Sequence, residues 1–402
     1  MPFFNEPFET QHSRNHRAGS HFVYSLSDSF ERRIPVTSIE FNPPPVSCFA
    51  KQEVEYWHTL ETPDEEDRTI LKALKAKIRN MGLCHQSGSF MSVTDSAAGV
   101  LRMHNLTMLR LLNDAGFTET WLREPPVVLD PRRTILHLTR NHGIDWLKRY
   151  LDRCRQLSFS NLLLITGDPL KEVRLKPITF ETSRSVPRGE LDNYRLKNSV
   201  ELVCFVKNHW SGFFTGIGHN PFLRKEAAHS HLVRKHRAGA DFIITQPVSY
   251  YEECWKEMDE FQRFCSSQAI EMPVILGVFN YSVPCGRKGY REEVFQTRYH
   301  FWKRLFGFVP DGVKRDYELG LDGIEILARS INKLKRMGSF HFDVMNAEKK
   351  GWSIIKDGQR LTHELDRIVG SFDQEAGPPS SRENKAGSGT VNSGAGPARG
   401  RS

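Results

Sequence analysis

The sequence predicts an α/β fold in which eight strands alternate with helices. Eight short runs rich in β-branched and aromatic residues recur along the chain, and stretches with helical periodicity separate them. Strands that alternate with helices form parallel sheets, since each crossover helix returns the chain to the same end. Eight such units over roughly 320 residues predict a (β/α)₈ TIM barrel in a single domain. A doubly wound open sheet is the alternative, but no glycine-rich dinucleotide fingerprint opens the first helix.

The elements follow from local pattern. Prolines 43–45 stop the first strand, and Ala238-Gly239 ends the helix that precedes the sixth strand. The last helix has apolar residues at helical spacing between Leu321 and Leu334. The predicted strands span 36–41, 89–93, 134–138, 161–165, 212–217, 241–245, 273–278 and 339–344. The predicted helices span 64–82, 98–116, 143–157, 198–208, 222–238, 250–267, 288–305 and 314–337.

Composition shifts divide the chain into four segments. Residues 1–34 are polar and predict a loosely ordered arm, and residues 35–356 carry the barrel. Residues 357–371 predict a terminal helical segment. From 372 to 402 the chain is dominated by Gly, Ser, Pro, Asn and Arg, so it cannot bury enough apolar surface to fold and predicts a disordered tail. Residues 170–197 predict a long loop after the fourth strand, on the active-site side.

Composition also excludes several functions. No apolar run reaches the ~18–20 residues that cross a bilayer, and no signal pattern opens the chain, so we expect a cytoplasmic protein without a membrane partner. The net charge of +8 is spread over helices without a nucleic-acid motif, so we expect no nucleic-acid partner. The seven cysteines form no CxxC pair, and His16, His229 and His231 lack thiolates or carboxylates at ligand spacing, so we expect no metal site.

Four polar residues end predicted strands, where a barrel carries its active site. Glu40 lies between Ile39 and Phe41, so partial desolvation should raise its pKa and suit it to donate a proton. An ordinary ion-paired glutamate at the barrel rim is the alternative. Asp168 follows a Thr-Gly turn and could simply cap it. His137 and Gln246 also end strands, and the Gln246 amide offers both a donor and an acceptor to a heterocycle.

In order and spacing, Ser-Ile-Glu40-Phe-Asn-Pro-Pro, His137-Leu-Thr, Gly167-Asp168-Pro and Thr-Gln246 resemble the methylenetetrahydrofolate reductase family. The resemblance implies an oxidoreductase that interconverts 5,10-methylene- and 5-methyltetrahydrofolate, with FAD as cofactor and NADH or NADPH as hydride donor. It implies a role in one-carbon metabolism and methionine biosynthesis. Its partners would be tetrahydrofolate derivatives, including polyglutamylated ones, and a homo-oligomer stays open.

The resemblance also implies residue roles. Glu40 would be the general acid that helps open the five-membered ring of the substrate, with Asp168 as the second catalytic residue near flavin and pterin. Gln246 and Asp168 would bind the pterin, and Phe301 would stack on the folate. The cofactor-binding positions would be Thr94, His137, Gly167, Asp168 and Lys235, of which the lysine would contact the phosphates of the cofactor.

Four positions depart from the family pattern: Thr166, Thr215, Ala228 and Ala347. Three of them are predicted to touch the flavin-binding surface, and two remove a guanidinium that threonine or alanine cannot replace. We therefore predict weaker flavin retention than is typical of the family. A flavin-independent folate oxidoreductase in one-carbon catabolism and a non-catalytic folate-binding barrel are the two alternatives.

Overall fold

The computed structural model describes residues 24–86, 88–95, 100–167, 196–222, 225–281, 292–336 and 341–345. Several predicted features lie outside these residues: Asp168, most of the loop 170–197, Ala347, the segment 357–371 and the tail 372–402. Among the described residues, no helix is both long enough and apolar enough to cross a membrane.

Eight parallel strands form a closed barrel in sequential order, which confirms the predicted (β/α)₈ fold and excludes the open sheet. The last strand closes on the first, with Ser38 of β1 beside Asp343 of β8. Each strand lies within two residues of its predicted position. The strands are β1 Val36–Phe41, β2 Phe90–Val93, β3 Thr134–Thr139, β4 Asn161–Ile165, β5 Phe214–His219, β6 Phe242–Thr245, β7 Val274–Phe279 and β8 His341–Met345.

Helices surround the barrel, and their apolar faces pack on its outer surface around a core that includes Leu136, Leu162 and Val278. Among the described residues, the α-helices longer than one turn are α1 Leu26–Glu31, α2 Val54–His58, α3 Glu65–Gln86, α4 Asn105–Asn113, α5 Ile144–Gln156, α6 Ser199–His209, α7 Lys225–Arg237, α8 Glu252–Ser267, α9 Glu292–Phe306, α10 Gly312–Glu318 and α11 Gly323–Arg336. A short helical stretch, Ala115–Phe117 followed by the π-helical Thr118–Leu122, comes after α4.

A second apolar cluster fills the amino-terminal half of the barrel interior. Phe90, Ile135, Leu163 and Phe242 point inward from their strands, and Leu26 of α1 packs against them. Helix α1 therefore plugs the amino end of the barrel, although the sequence predicted a loosely ordered arm over residues 1–34. Ser25 and Asp28 form a reciprocal capping box that starts this helix.

Two predicted helices differ from the structure. The segment predicted as one helix over 314–337 is two helices, α10 and α11. Gly320 adopts a φ of +87° that breaks the first, and the Asp322 carboxylate accepts hydrogen bonds from Ile324 N and Glu325 N to start the second. The helix predicted over 98–116 begins only at Asn105.

Candidate active site at the carboxyl end of the barrel

The parallel strands bring the predicted site residues to one end of the barrel. Glu40 is the penultimate residue of β1, Thr94 follows β2, Gly167 follows β4 and Gln246 follows β6. Because all eight strands run in the same direction, these residues share the carboxyl-terminal mouth. With three steps between β1 and β6 around the closed barrel, Glu40 and Gln246 lie on different sides of that mouth.

A hydrogen-bonded chain holds Glu40 in place. Glu40 is half-buried, and its Oε1 accepts a hydrogen bond from Asn42 Nδ2 at 3.2 Å. Asn42 Oδ1 in turn accepts from Thr94 Oγ1 at 2.9 Å. Thr94 itself is buried. The candidate acid is therefore oriented by the Asn42 amide just after β1, and the Thr94 hydroxyl just after β2 fixes that amide.

Asn42 was not singled out in the sequence, although a signal was present. Residues two apart on a strand face the same side. Asn42 lies two residues after Glu40 and precedes Pro43, so its amide could be expected next to the Glu40 carboxylate.

His137 lies deeper than the mouth, inside β3. It is buried, and its Nε2 is 2.7 Å from Ser92 Oγ on β2. Its backbone carbonyl accepts a hydrogen bond from Asn105 at 2.8 Å. Burial lowers the pKa of His137 to about 4, against the opposing field of Asp95. The imidazole is therefore neutral at pH 7.

A buried carboxylate occupies the same interior layer. Asp343 on β8 is fully buried, and its Oδ1 accepts a hydrogen bond from Ser38 Oγ at 2.5 Å. Its Oδ2 has no hydrogen-bond partner within the part of the chain described. Burial raises the pKa of Asp343, and the Ser38 hydroxyl opposes this rise. Asp343 was not among the residues predicted from the sequence, although the alternation within Phe342-Asp343-Val344 indicated that its side chain points inward.

Gly167 lies two residues after β4, at a position that only glycine fits. Its φ is +74°, and a Cβ atom there would lie 2.7 Å from Thr139 Cβ and 2.8 Å from Asn141 Nδ2. The predicted flavin-binding role of Gly167 stays a prediction, and the structure explains the residue by close packing of two loops. Asp168, the next residue, lies outside the described residues.

Gln246 follows β6 at the mouth, and Lys235 lies in the last turn of α7. The Gln246 backbone N–H donates to the His219 carbonyl at 2.8 Å, and its side chain is half-buried. Lys235 is buried, and its Nζ donates to the Gly218 carbonyl at 3.0 Å without a carboxylate partner among the described residues. Burial lowers the pKa of Lys235 to about 8. A buried ammonium without a counter-ion is suited to an anionic ligand.

The departures from the family pattern lie in different places. Thr166 is exposed at the mouth after β4, and its hydroxyl donates to Ser199 Oγ at 3.1 Å. Thr215, in contrast, lies near the start of β5 at the opposite end of the barrel, where its N–H and hydroxyl donate to Asp241 Oδ2. The prediction that Thr215 touches the flavin-binding surface is therefore wrong. Ala228 is half-buried in α7.

Phe301 lies in α9 and is half-buried against an aromatic cluster that includes Tyr281, Phe295 and Trp302. The family resemblance implied a stacking contact between Phe301 and folate. The contacts of Phe301 within the described residues are those of a packing residue, and the stacking contact stays a prediction.

A second cluster of polar side chains lies beside the mouth. Asp95 directly follows Thr94, and its Oδ2 accepts from Thr139 N at 3.0 Å and from Thr139 Oγ1 at 2.8 Å. His142 Nε2 lies 2.8 Å from the same oxygen. These contacts hold the pKa of Asp95 well below its usual range, although burial opposes them. No short motif joins these residues in sequence, so local pattern could not reveal the group.

Comparisons with known proteins agree with this architecture. The family model described as methylenetetrahydrofolate reductase matches residues 52–359. Methylenetetrahydrofolate reductase 2 of Schizosaccharomyces pombe (strain 972 / ATCC 24843) is 25% identical over 262 residues, which cover 60% of this chain and 38% of that protein. Methylenetetrahydrofolate reductase 1 of the same organism is 25% identical over 269 residues, which cover 64% and 40%.

The chain thus spans about two fifths of the length of these curated relatives. Among solved structures, a Clostridium thermocellum protein that binds two copies of 5-methyl-5,6,7,8-tetrahydrofolic acid aligns with a TM-score of 0.49 and 13% identity. The alignment covers 85% of this chain and 99% of that one. The family match extends over most of the closed barrel and includes Thr94, His137, Lys235 and Gln246. The chain belongs to the methylenetetrahydrofolate reductase family.

Proposed function

We propose that this chain is an oxidoreductase that interconverts 5,10-methylene- and 5-methyltetrahydrofolate by hydride transfer through a flavin. The observation that supports the proposal most is the placement of Glu40. A half-buried carboxylate, oriented by Asn42 and Thr94, stands at the mouth of a barrel whose family acts on this substrate. Glu40 precedes the matched residues 52–359, so its role rests on this position and on the resemblance of its strand.

Glu40 would deliver the proton that opens the five-membered ring of the substrate. Protonation of a ring nitrogen assists C–N cleavage, and the resulting iminium at N5 accepts a hydride. The Asn42 amide donates to Glu40 Oε1 and so restricts which carboxyl oxygen faces the substrate. Such orientation reduces the entropy that the reaction must lose.

Gln246 would recognise the pterin from the other side of the mouth. Its backbone is fixed by the His219 carbonyl, and its amide presents both a donor and an acceptor. Asp168 would be the second pterin contact. The net charge of +8 favours anionic ligands such as polyglutamylated folate.

Lys235 fits the phosphates of a bound cofactor, because it is buried and lacks a carboxylate partner in the described part of the chain. FAD would supply the hydride-carrying ring when bound, with NADH or NADPH as donor. Thr94 and His137 line the same half of the barrel. The phosphates of a nicotinamide dinucleotide would suit Lys235 equally. The flavin-independent oxidoreductase is therefore the second candidate.

The substitution Glu40→Gln tests the proposed acid. Glutamine keeps the size and can still bond to Asn42, but it cannot donate the proton. General acid catalysis contributes typically ~10²–10⁴-fold, so turnover of methylenetetrahydrofolate should fall by that order. Reduction of the flavin by NADH or NADPH, followed separately by stopped-flow absorbance, should be nearly unchanged because it requires no ring opening.

A matched control is Glu252→Gln, since Glu252 is 75% exposed on α8 and its ion pair within the described part of the chain is with Lys256. This variant should keep both half-reactions. If Glu40→Gln slows both half-reactions equally, Glu40 is structural and the proposed role is wrong. An absorbance spectrum of the purified protein separates the two candidates: flavin bands support the flavoenzyme, and turnover without flavin supports the second candidate.

A further inference from the structure

We propose that Asp95, His104 and His142 bind one divalent transition-metal ion, for which Zn²⁺ is the best match. One ligand atom from each residue lies within 4.8 Å of the others, and both Asp95 and His104 are buried. Two imidazoles and a carboxylate form a ligand set that suits zinc and its first-row neighbours. No metal site was expected from the sequence, because these ligands are far apart in the chain and come from two loops at the barrel mouth, the β2–α4 connection and the loop after β3.

The distances are close to those of a metal site. In tetrahedral zinc coordination, bonds of ~2.0–2.1 Å place neighbouring ligand atoms ~3.3 Å apart. His142 Nε2 lies 2.8 Å from Asp95 Oδ2, and His104 Nε2 lies 3.4 Å from Glu53 Oε1. Of these three ligands, Glu53 contacts His104 only, and it would supply the fourth ligand if the ion draws its carboxylate toward the other three.

The ligands also have the supporting contacts that metal sites require. Thr139 donates its N–H and its hydroxyl to Asp95 and fixes that carboxylate. Trp146 stacks on the His142 ring at 3.8 Å between centroids and fixes that imidazole. Groups that orient ligands in this way commonly contribute 10–100-fold to metal affinity.

An entry path leads to the cluster. A pocket of about 600 Å³ opens between α2, α4 and α5 and is lined by Glu53, His104 and Trp146. His104 thus stands between the pocket and the buried Asp95. Two carboxylates, Asp95 and Glu53, balance the double positive charge of the ion while both imidazoles remain neutral.

The position of the cluster links it to the candidate active site. Asp95 is covalently next to Thr94, whose hydroxyl orients the Asn42 amide beside Glu40. A metal ion at Asp95 would tie the end of β2 to the start of α4 and to the loop after β3. The competing interpretation is a metal-free network in which His142 pairs with Asp95 and His104 with Glu53.

Titration of the tag-free, chelator-treated full chain with Co²⁺ and Zn²⁺ distinguishes the proposed metal site from a metal-free network. We expect one Co²⁺ per chain, with visible absorption of imidazole and carboxylate coordination that Zn²⁺ displaces. His104→Gln and His142→Gln should each weaken Co²⁺ binding at least tenfold. Zn²⁺ should also raise the melting temperature of the unmodified protein, because a ligand that binds only the folded state stabilises it, and should do so less in the variants.

His58→Gln is the matched control, since His58 forms an exposed pair with Asp114 at 3.2 Å and should not affect binding. The readouts require no folate turnover, so they succeed or fail separately from the proposed function. Circular dichroism identifies a variant that does not fold, and the other histidine variant then decides. Absence of saturable binding, or binding unchanged in a folded variant, means an adventitious ion or none and overturns the proposal.

Discussion

At the scale of single residues, the barrel interior contains a polar patch that the apolar strands would not suggest. Its members are Asp343, Ser38, Ser92 and His137, which lie on the neighbouring strands β8, β1, β2 and β3, respectively, below the candidate acid. A buried polar group is costly unless its hydrogen bonds are made. Asp343 makes one such bond through Oδ1, and its second oxygen is unpartnered among the described residues.

The first stability prediction concerns Asp343→Asn. Burial raises the pKa of the folded carboxyl above its unfolded value of 3.8, so the folded state binds the proton more tightly. The free energy of unfolding therefore falls as pH rises between the two values, by about 1.4 kcal/mol per pH unit, and stays low above them. Asparagine cannot ionise, so Asp343→Asn should be more stable than the unmodified protein at pH 8, and this advantage should narrow toward pH 5.

Urea unfolding at several pH values measures this difference. Asp145→Asn is the control, because that carboxylate is 85% exposed, and its stability should follow the unmodified protein at every pH. A constant difference between Asp343→Asn and the unmodified protein across the range would mean that Asp343 is not protonated preferentially in the folded state.

Single residues were predicted unevenly from the sequence. The position of Glu40 and Gln246 at strand ends followed from local alternation and from the shared direction of parallel strands. The grouping of Asp95, His104 and His142 did not, because 9 and 38 residues separate them and only the closed barrel brings their loops together. Thr215 was predicted to lie at the wrong end of β5. The motif match gave its place in the sequence but did not show where β5 begins and ends.

At the scale of elements, strands were predicted more accurately than helices. A strand is defined by a short apolar run, and closing the barrel adds constraints that agree with it. A helix end depends on capping contacts that local periodicity does not show. The apolar spacing from Leu321 onward continued the predicted helix, whereas Gly320 and the Asp322 cap ended one helix and began the next.

Close packing between strands gives the prediction at this scale. A Cβ atom on Gly277 of β7 would lie 2.3 Å from the Thr245 carbonyl oxygen of β6. Backbone cannot move aside without breaking the neighbouring pair, so Gly277→Ala should destabilise the protein by several kcal/mol, beyond the ~1–3 of ordinary overpacking. Thermal unfolding monitored by circular dichroism measures the loss.

Gly82→Ala is the matched control for Gly277→Ala. Gly82 lies inside helix α3, and a Cβ atom there would meet nothing within 4 Å. Alanine in a helix interior is favoured over glycine by roughly 0.5–1 kcal/mol, so this variant should be slightly more stable than the unmodified protein. Equal effects of the two substitutions would contradict the packing of β6 against β7.

At the scale of the whole molecule, the composition of the barrel interior separates folding from function. The amino-terminal half is apolar and sealed by α1, and the carboxyl-terminal half carries the polar groups. The alternation of strand and helix patterns predicted the barrel, because the number of alternating units sets the architecture. It could not predict that buried histidines would be distributed through this core.

These histidines give the last prediction. Burial lowers the pKa of His219 to about 3 and that of His341 to about 4, and His341 Nδ1 accepts a hydrogen bond from Val36 N that protonation would break. The unfolded chain titrates near 6.5, so it binds more protons than the folded chain between pH 6.5 and 4. The free energy of unfolding should therefore fall as pH decreases through this window, by about 1.4 kcal/mol per pH unit for each histidine.

Asp343 acts in the opposite direction, so the loss of stability toward acid pH should be steeper in Asp343→Asn. Urea unfolding midpoints between pH 7.5 and 5 test both slopes, and His219→Gln should reduce the slope whereas the exposed His58→Gln should not. An acid slope that neither substitution changes would show that these buried groups do not control the stability of the barrel.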